Sequence, residues 1–288
     1  MTRIPTSATA SIASLLSAAS SSAPLRILWA SHARWPLPRS STSSLSTDRP
    51  ERVSVSVLDS SFNPPHAAHA ALADVDPSSA QLLAFTLSNA DKAFDQAQLC
   101  SRLEMIRSMA IDLERKASRG DGPDKWQNVA VAVMDAPMFT TKSTLLQKQV
   151  ANIVKDHGVR DVEIDLAFPV GWDTIVRIFA PRYYPPPGPD LAAQMETFLS
   201  KNRSTLYCAR RGSGGPEEEE RAFLESDEVR PWVERGKVHV VDLPAQVREV
   251  SSTTVRAAVK DGRWDDVERD VPFPGVVKIV KRERLYAD

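Results

Sequence analysis

The sequence predicts a doubly wound α/β fold built on a mostly parallel sheet. Three observations point there. Short β-branched apolar runs recur through residues 51–288, the segments between them carry helical periodicity, and the first run stops at a polar turn rich in proline and histidine. Strand alternating with helix needs crossover connections between parallel neighbours, which places helices on both faces of one sheet.

Residues 1–50 read as an N-terminal extension. They are rich in Ser and Ala and carry Arg3, Arg26, Arg34, Arg39 and Arg49 against one acid, Asp48. A mitochondrial transit segment has that composition. The rival reading is a helix around 12–16 followed by a strand over 25–30, because Leu25-Arg-Ile-Leu-Trp29 is strand-like. The second reading is preferred, with the Pro-, Ser- and Thr-rich stretch 36–50 as a flexible connection.

Residues 51–288 are expected to form one domain. Its first strand covers 53–58, where Val53, Val55, Val57 and Leu58 supply the apolar run. Asp59, Ser60 and Ser61 break that run, and Pro64 and Pro65 forbid more ladder. Further strands are expected over 81–87, 128–134, 162–168, 204–208 and 237–241. Between them a helix over 99–116 places Leu103, Ile106, Met109, Ala110 and Leu113 at helical spacing. Other helices are expected over 142–155, 190–199 and 217–229. The segments 185–189 and 212–220 read as surface loops, the glutamates of the second as a solvated helix start.

Acidic and basic residues number 37 and 36, so no surface for nucleic acid or a membrane is expected. Two cysteines, Cys100 and Cys208, cannot build a disulfide framework or a zinc site. No apolar run reaches the roughly 18 residues of a membrane span. The expectation is a soluble intracellular protein, cytoplasmic and also nuclear, or mitochondrial if residues 1–50 are a transit segment.

Ligands of open α/β sheets bind beyond the carboxyl ends of the strands, where the turn after residue 58 lies. His66 and His69 are three positions apart, on one face of a first helical turn. Imidazole N–H groups beside a helix N-terminus suit phosphate oxygens. Taken alone, the pair reads better as a packed His69 and a capping His66, and two ligands are too few for a metal site. The stretch Val250-Ser-Ser-Thr-Thr-Val-Arg256 alters that balance. Ser251 or Ser252 is a suitable N-cap, and Arg256, one turn in, carries a fork that can hold a phosphate bidentately. Two helix N-termini with these side chains would accommodate a triphosphate.

"SSFNPPHAAH" and "VSSTTVR" together resemble the two signature motifs of the nicotinamide mononucleotide adenylyltransferase family, within the HxGH nucleotidyltransferase superfamily. "GWDTIVRIF" (171–179) is similar to the family's Gly-x-Asp segment, and "PGVVKIVKRERLY" (274–286) to its closing helix and Leu-Tyr ending. The likeness spans roughly residues 53–288 and is greatest to a divergent, fungal-type branch. It implies a Rossmann-like nucleotidyltransferase fold that moves AMP from ATP to nicotinamide mononucleotide, giving NAD and pyrophosphate, with Mg²⁺ accompanying ATP. It implies His66, His69 and Arg256 as catalytic residues. Ser60, Ser61, Phe62, Lys92, Ser251, Ser252 and Thr253 would contact ATP and phosphate, and Gly171 and Asp173 would hold the adenosine part. Lys92 also reads as a solvated loop lysine.

The sequence departs from the family at three places. Ser60 and Ala68 stand where the family carries glycine, and no Trp follows the strand ending at Met134. Trp126, ahead of that strand, is assigned to the core, leaving Phe139 for the pyridine ring. Two alternatives remain: a related nucleotidyltransferase with another acceptor, such as phosphopantetheine or a lipid-precursor phosphate, and a nucleotide-binding regulatory protein without catalysis. A homo-oligomer is compatible with either.

Overall fold

A computed structural model of the chain describes residues 5–6, 23–39, 51–87, 97–188, 190–210 and 217–287. The run that opens at Val53 folds as the central strand of a seven-stranded sheet. The strands are β1 (Leu25–Ala30), β2 (Glu51–Asp59), β3 (Ala80–Thr86), β4 (Val129–Met134), β5 (Val162–Gly171), β6 (Ser204–Ala209) and β7 (Val238–Val241). Their order is β1-β4-β3-β2-β5-β6-β7, and every pairing is parallel except that of β1 with β4. The fold is therefore α/β, doubly wound and Rossmann-like. The chain winds outward from β2 through β3 to β4, then returns to β5 on the other side of β2. The winding direction reverses between β2 and β5, and in such sheets the crevice opens there, at the carboxyl ends.

The helices follow from the stripes in the sequence. Labels run in chain order: α1 (Ala67–Ala73), α2 (Ala97–Ser118), α3 (Phe139–Asp156), α4 (Trp172–Ile178), α5 (Leu191–Met195), α6 (Glu217–Leu224), α7 (Arg230–Glu234), α8 (Ala245–Arg248), α9 (Ser252–Lys260), α10 (Trp264–Asp270) and α11 (Pro274–Glu283). On one face of the sheet, Val55, Val57, Leu82, Ala84, Leu166 and Phe168 pack with Leu146, Val150 and Ile153 of α3. On the other, Leu58, Leu83, Phe85, Val131 and Val133 pack with α2 and with Val255, Val276 and Val280 of the C-terminal helices. Each Val, Leu, Ile or Phe side chain fully buried in these layers contributes about 1.5–3 kcal/mol. After β7, α8 returns the chain to α1, and α9 starts beside the turn that follows the central strand.

Several boundaries differ from those expected, each with a local reason. The strand expected over 53–58 runs from Glu51 to Asp59, because both neighbours extend the ladder beyond the apolar core. Likewise β5 runs on to Gly171. The helix expected from 142 starts at Phe139. The stretch 190–199 divides into α5 and a π-helical turn, Glu196–Lys201, where the Thr197 hydroxyl donates to Ala193 O at 3.0 Å. The stretch 217–229 ends as a helix at Leu224, where the Ser226 hydroxyl donates to Phe223 O, and α7 restarts beyond it with Pro231 in its first turn. Leu25–Ala30 is the antiparallel edge strand, while the helix expected around 12–16 lies outside the described residues. Trp126 is buried in the core, as assigned. Among the described residues no helix is long and apolar enough to cross a membrane.

Candidate active site

The turn after β2 is built on an uncommon backbone. Phe62 has φ 44°, in the left-handed region, and its fully buried ring holds it there. Asn63, Pro64 and Pro65 follow, and His66 is the extended N-cap of α1. The His66 backbone N–H donates to His69 Nδ1 at 3.1 Å, so the proton of the neutral His69 ring sits on Nε2. Nε2 lies 3.0 Å from the Ser60 hydroxyl, which accepts from it and keeps its own proton for another partner. The two imidazoles stand 3.8 Å apart, centre to centre, and Phe62 packs 4.8 Å from His69. Both histidines are buried, and His66 Nδ1 has no hydrogen-bond partner. Burial lowers the His66 pKa to about 4, and burial with the neighbouring His66 holds His69 well below its ordinary value. At neutral pH both rings are uncharged hydrogen-bonding groups.

The C-terminal motif closes on this turn. Ser251 is the N-cap of α9: its hydroxyl accepts the Thr254 N–H at 3.1 Å, and Thr254 Oγ1 accepts the Ser251 N–H at 3.0 Å. Ser252 is thereby turned inward, and its hydroxyl donates to Pro64 O at 3.0 Å. Arg256 Nη1 donates to Asn63 O at 2.7 Å, and Nη2 to Thr253 Oγ1 at 3.2 Å. The fork expected to hold a phosphate is thus partly engaged within the protein. Tyr286, near the chain end, donates its hydroxyl to Asn63 Oδ1 at 2.7 Å. The structure brings His66, His69, Ser60, Phe62, Ser251, Ser252, Thr253 and Arg256 together, and Ser61 is exposed beside them.

On the other face of the sheet, at the same edge, is a pair that the motifs do not announce. Lys142 Nζ bonds to Asp59 Oδ2, and the Thr86 hydroxyl donates to Asp59 Oδ1 at 2.9 Å. The Lys142 ammonium also lies 4.5 Å from the centre of the Phe139 ring. Phe139, expected beside a pyridine ring, packs edge-to-face with Phe168 at 5.7 Å and tilted against Phe198 at 6.1 Å. One signal for Lys142 was readable: it occupies the apolar stripe of Leu146, Val150 and Ile153. A lysine on that stripe needs a buried partner.

Gly171 ends β5 and caps α4, with open space where a side chain would stand, and Asp173 is exposed in that helix's first turn. They sit at the carboxyl end of β5, across the switch point from Asp59. Lys92 lies outside the described residues. Ala68, in the first turn of α1, is half-buried. Among the described residues there is no group of three metal-ligating side chains.

No family model matches the chain. The chain is similar to a "Putative nicotinamide mononucleotide adenylyltransferase" of Schizosaccharomyces pombe: 26% identical over 250 residues, covering 81% of this chain and 90% of that protein. That likeness, with a Rossmann-like sheet whose two motifs meet at the switch point, supports a nucleotidyltransferase-like function.

Proposed function

We propose that the protein transfers AMP from Mg·ATP to nicotinamide mononucleotide, releasing pyrophosphate and forming NAD. The observation that carries this reading is the junction of Arg256 and Ser252 with Asn63 and Pro64. It joins two phosphate-type helix N-terminal motifs, 188 and 193 residues apart in sequence, at the mouth of one strand.

In this reaction the mononucleotide phosphate attacks the α-phosphorus of ATP, and the bond to the β-phosphate oxygen breaks. The nucleophile is already anionic, so the chain need not supply a general base or a covalent intermediate. It must align two anions and stabilise the charge that spreads over the transferring group. Ser60, its oxygen accepting from His69, is left with a proton to donate. His66, neutral at rest and with Nδ1 unpartnered, would donate a ring N–H to an α-phosphate oxygen. His69, both of whose ring nitrogens are engaged, would act by holding the Ser60 hydroxyl toward that group. The α9 N-terminus with Thr253 and Arg256 would receive the leaving pyrophosphate. Mg²⁺ would enter as part of the substrate, Mg·ATP, and would offset charge on its phosphates.

Pyrophosphate release from Mg·ATP should be measured against a panel of acceptors. Release with nicotinamide mononucleotide, and not with phosphopantetheine or lipid-precursor phosphates, is expected. Release with another acceptor alone would reassign the substrate. ATP binding without release would leave a regulatory nucleotide-binding protein.

A further inference from the structure

The turn Phe62–Pro65 is held from outside. Pro64 and Pro65 have no backbone N–H, so the turn has little means of bonding to itself. Its acceptors are filled instead by side chains from the end of the chain: Ser252 on Pro64 O, Arg256 on Asn63 O and Tyr286 on Asn63 Oδ1. The third differs from the others in coming from beyond the last helix. Arg284 and Tyr286 both adopt left-handed backbone, φ 51° and 63°, a conformation that non-glycine residues hold only when their surroundings impose it. Leu285 between them packs on the C-terminal core, and its N–H reaches back to Val280 O at 3.1 Å. The chain end is thus folded back to aim one hydroxyl at one amide, 223 residues away.

We propose that Tyr286 is a positioning residue for the candidate active site: through Asn63 it fixes the turn that delivers His66 and His69 to the crevice, so the turn after the closing helix latches the turn after β2. Tyr286 touches neither histidine through a hydrogen bond; it acts through the Asn63 amide. Burial raises the Tyr286 pKa to about 12, which keeps the hydroxyl a donor throughout the neutral range. The kinetic part of this inference rests on the adenylyl-transfer reading, and the part concerning the histidine rings does not.

The test is NMR of the histidine rings in the full chain, with Tyr286→Phe, Asn63→Ala and Asn63→Asp. Tyr286→Phe and Asn63→Ala should move the His66 and His69 ring signals and raise the His66 midpoint from about 4 toward 6.5, because a slack turn admits water. Asn63→Asp keeps an acceptor for the Tyr286 hydroxyl and should leave the ring signals of the neutral histidines near their wild-type positions. Its carboxylate raises the midpoint by charge alone, so for this variant the signals at neutral pH are the readout. NAD formation by Tyr286→Phe should fall roughly ten- to hundredfold in kcat, with a smaller change in KM for ATP, as for a misplaced reacting group. Unmoved ring signals and midpoints in folded Tyr286→Phe would overturn the latch. If that variant does not fold, the contrast between Asn63→Ala and Asn63→Asp decides. If wild-type protein makes no NAD, the proposed function falls, while the ring signals still decide the latch.

Discussion

Lys142 and Asp59 form an ion pair across the carboxyl edge of the sheet, with side chains only 4% and 9% exposed. The aspartate is the last residue of β2, directly before the turn that carries the two histidines. An unpaired carboxylate there would repel any anionic ligand as well as destabilise the fold. Removing one partner of a buried pair leaves an uncompensated charge, which costs about 3–5 kcal/mol. Lys142→Met should therefore lower unfolding stability by that amount in urea titrations. Adding Asp59→Asn should recover most of it, and equal stabilities for the single and double variants would refute the pairing.

Stability should also depend on pH through the histidines. His66 and His69 are neutral in the fold with lowered pKa values, while the unfolded chain binds their protons below pH 6.5. Their contribution is complete above pH 6.5 and is lost as the pH falls toward 4. For His66 alone the loss amounts to about 3 kcal/mol. His32, lowered to about 4 mainly by burial, adds in the same direction. Denaturant midpoints at pH 7, 6 and 5 should fall in that order, and His66→Gln should flatten the trend in part. An unchanged trend in His66→Gln would show that His66 is not the group titrating.

The class of fold was legible because alternation of strand and helix is written in side-chain periodicity. Val53, Val55 and Val57 mark one buried face wherever the chain goes next. The ends were less legible. Glu51, Arg52 and Gly171 extend strands because neighbouring strands offer ladder partners, and pairing of that kind is not encoded in a residue's own polarity. The motif residues Ser60, His66, His69, Ser252 and Arg256 were readable through spacing and chemistry. Their mutual geometry was not, because Asn63 and Arg256 meet only through tertiary folding. Tyr286 stood in the Leu-Tyr ending without a role. Lys142 betrayed itself only by its place on the stripe of Leu146, Val150 and Ile153, which says that it is buried but not that Asp59 is its partner.

Arg256 serves the fold and the candidate site together, so its variants should separate two effects. Arg256→Ala loses the bonds to Asn63 O and Thr253 and should cost about 1–2 kcal/mol in stability. It should also lose about 1.5–3 kcal/mol in kcat/KM, chiefly against ATP. Lysine retains the charge without the planar fork and should fall between alanine and wild type. Kinetics equal to wild type in folded Arg256→Ala would remove the phosphate role while leaving the structural one.

Gly275 tests the packing of the closing helix. Its N–H donates to Asp112 Oδ2 at 3.0 Å, and a Cβ there would collide with Ser108 Oγ of α2. Gly275→Ala should destabilise by about 1–3 kcal/mol, the range for overpacking a tight contact. Ser108→Ala in the same chain should recover part of that loss. Full stability in Gly275→Ala, by thermal melting, would mean that the Ser108 hydroxyl turns aside or that α11 stands further from α2.

The most direct test of the central claim is a coupled assay of purified full-length protein with Mg·ATP and nicotinamide mononucleotide, reading NAD as it forms. The account predicts NAD production that requires both substrates, with pyrophosphate released in equal amount. His69→Ala should lower kcat by about two orders of magnitude while remaining folded, the scale of losing one preorganised donor, because the Ser60 hydroxyl loses the partner that aims it. NAD at background while ATP binding is measurable would contradict the account, and undiminished turnover in His69→Ala would return that histidine to the core.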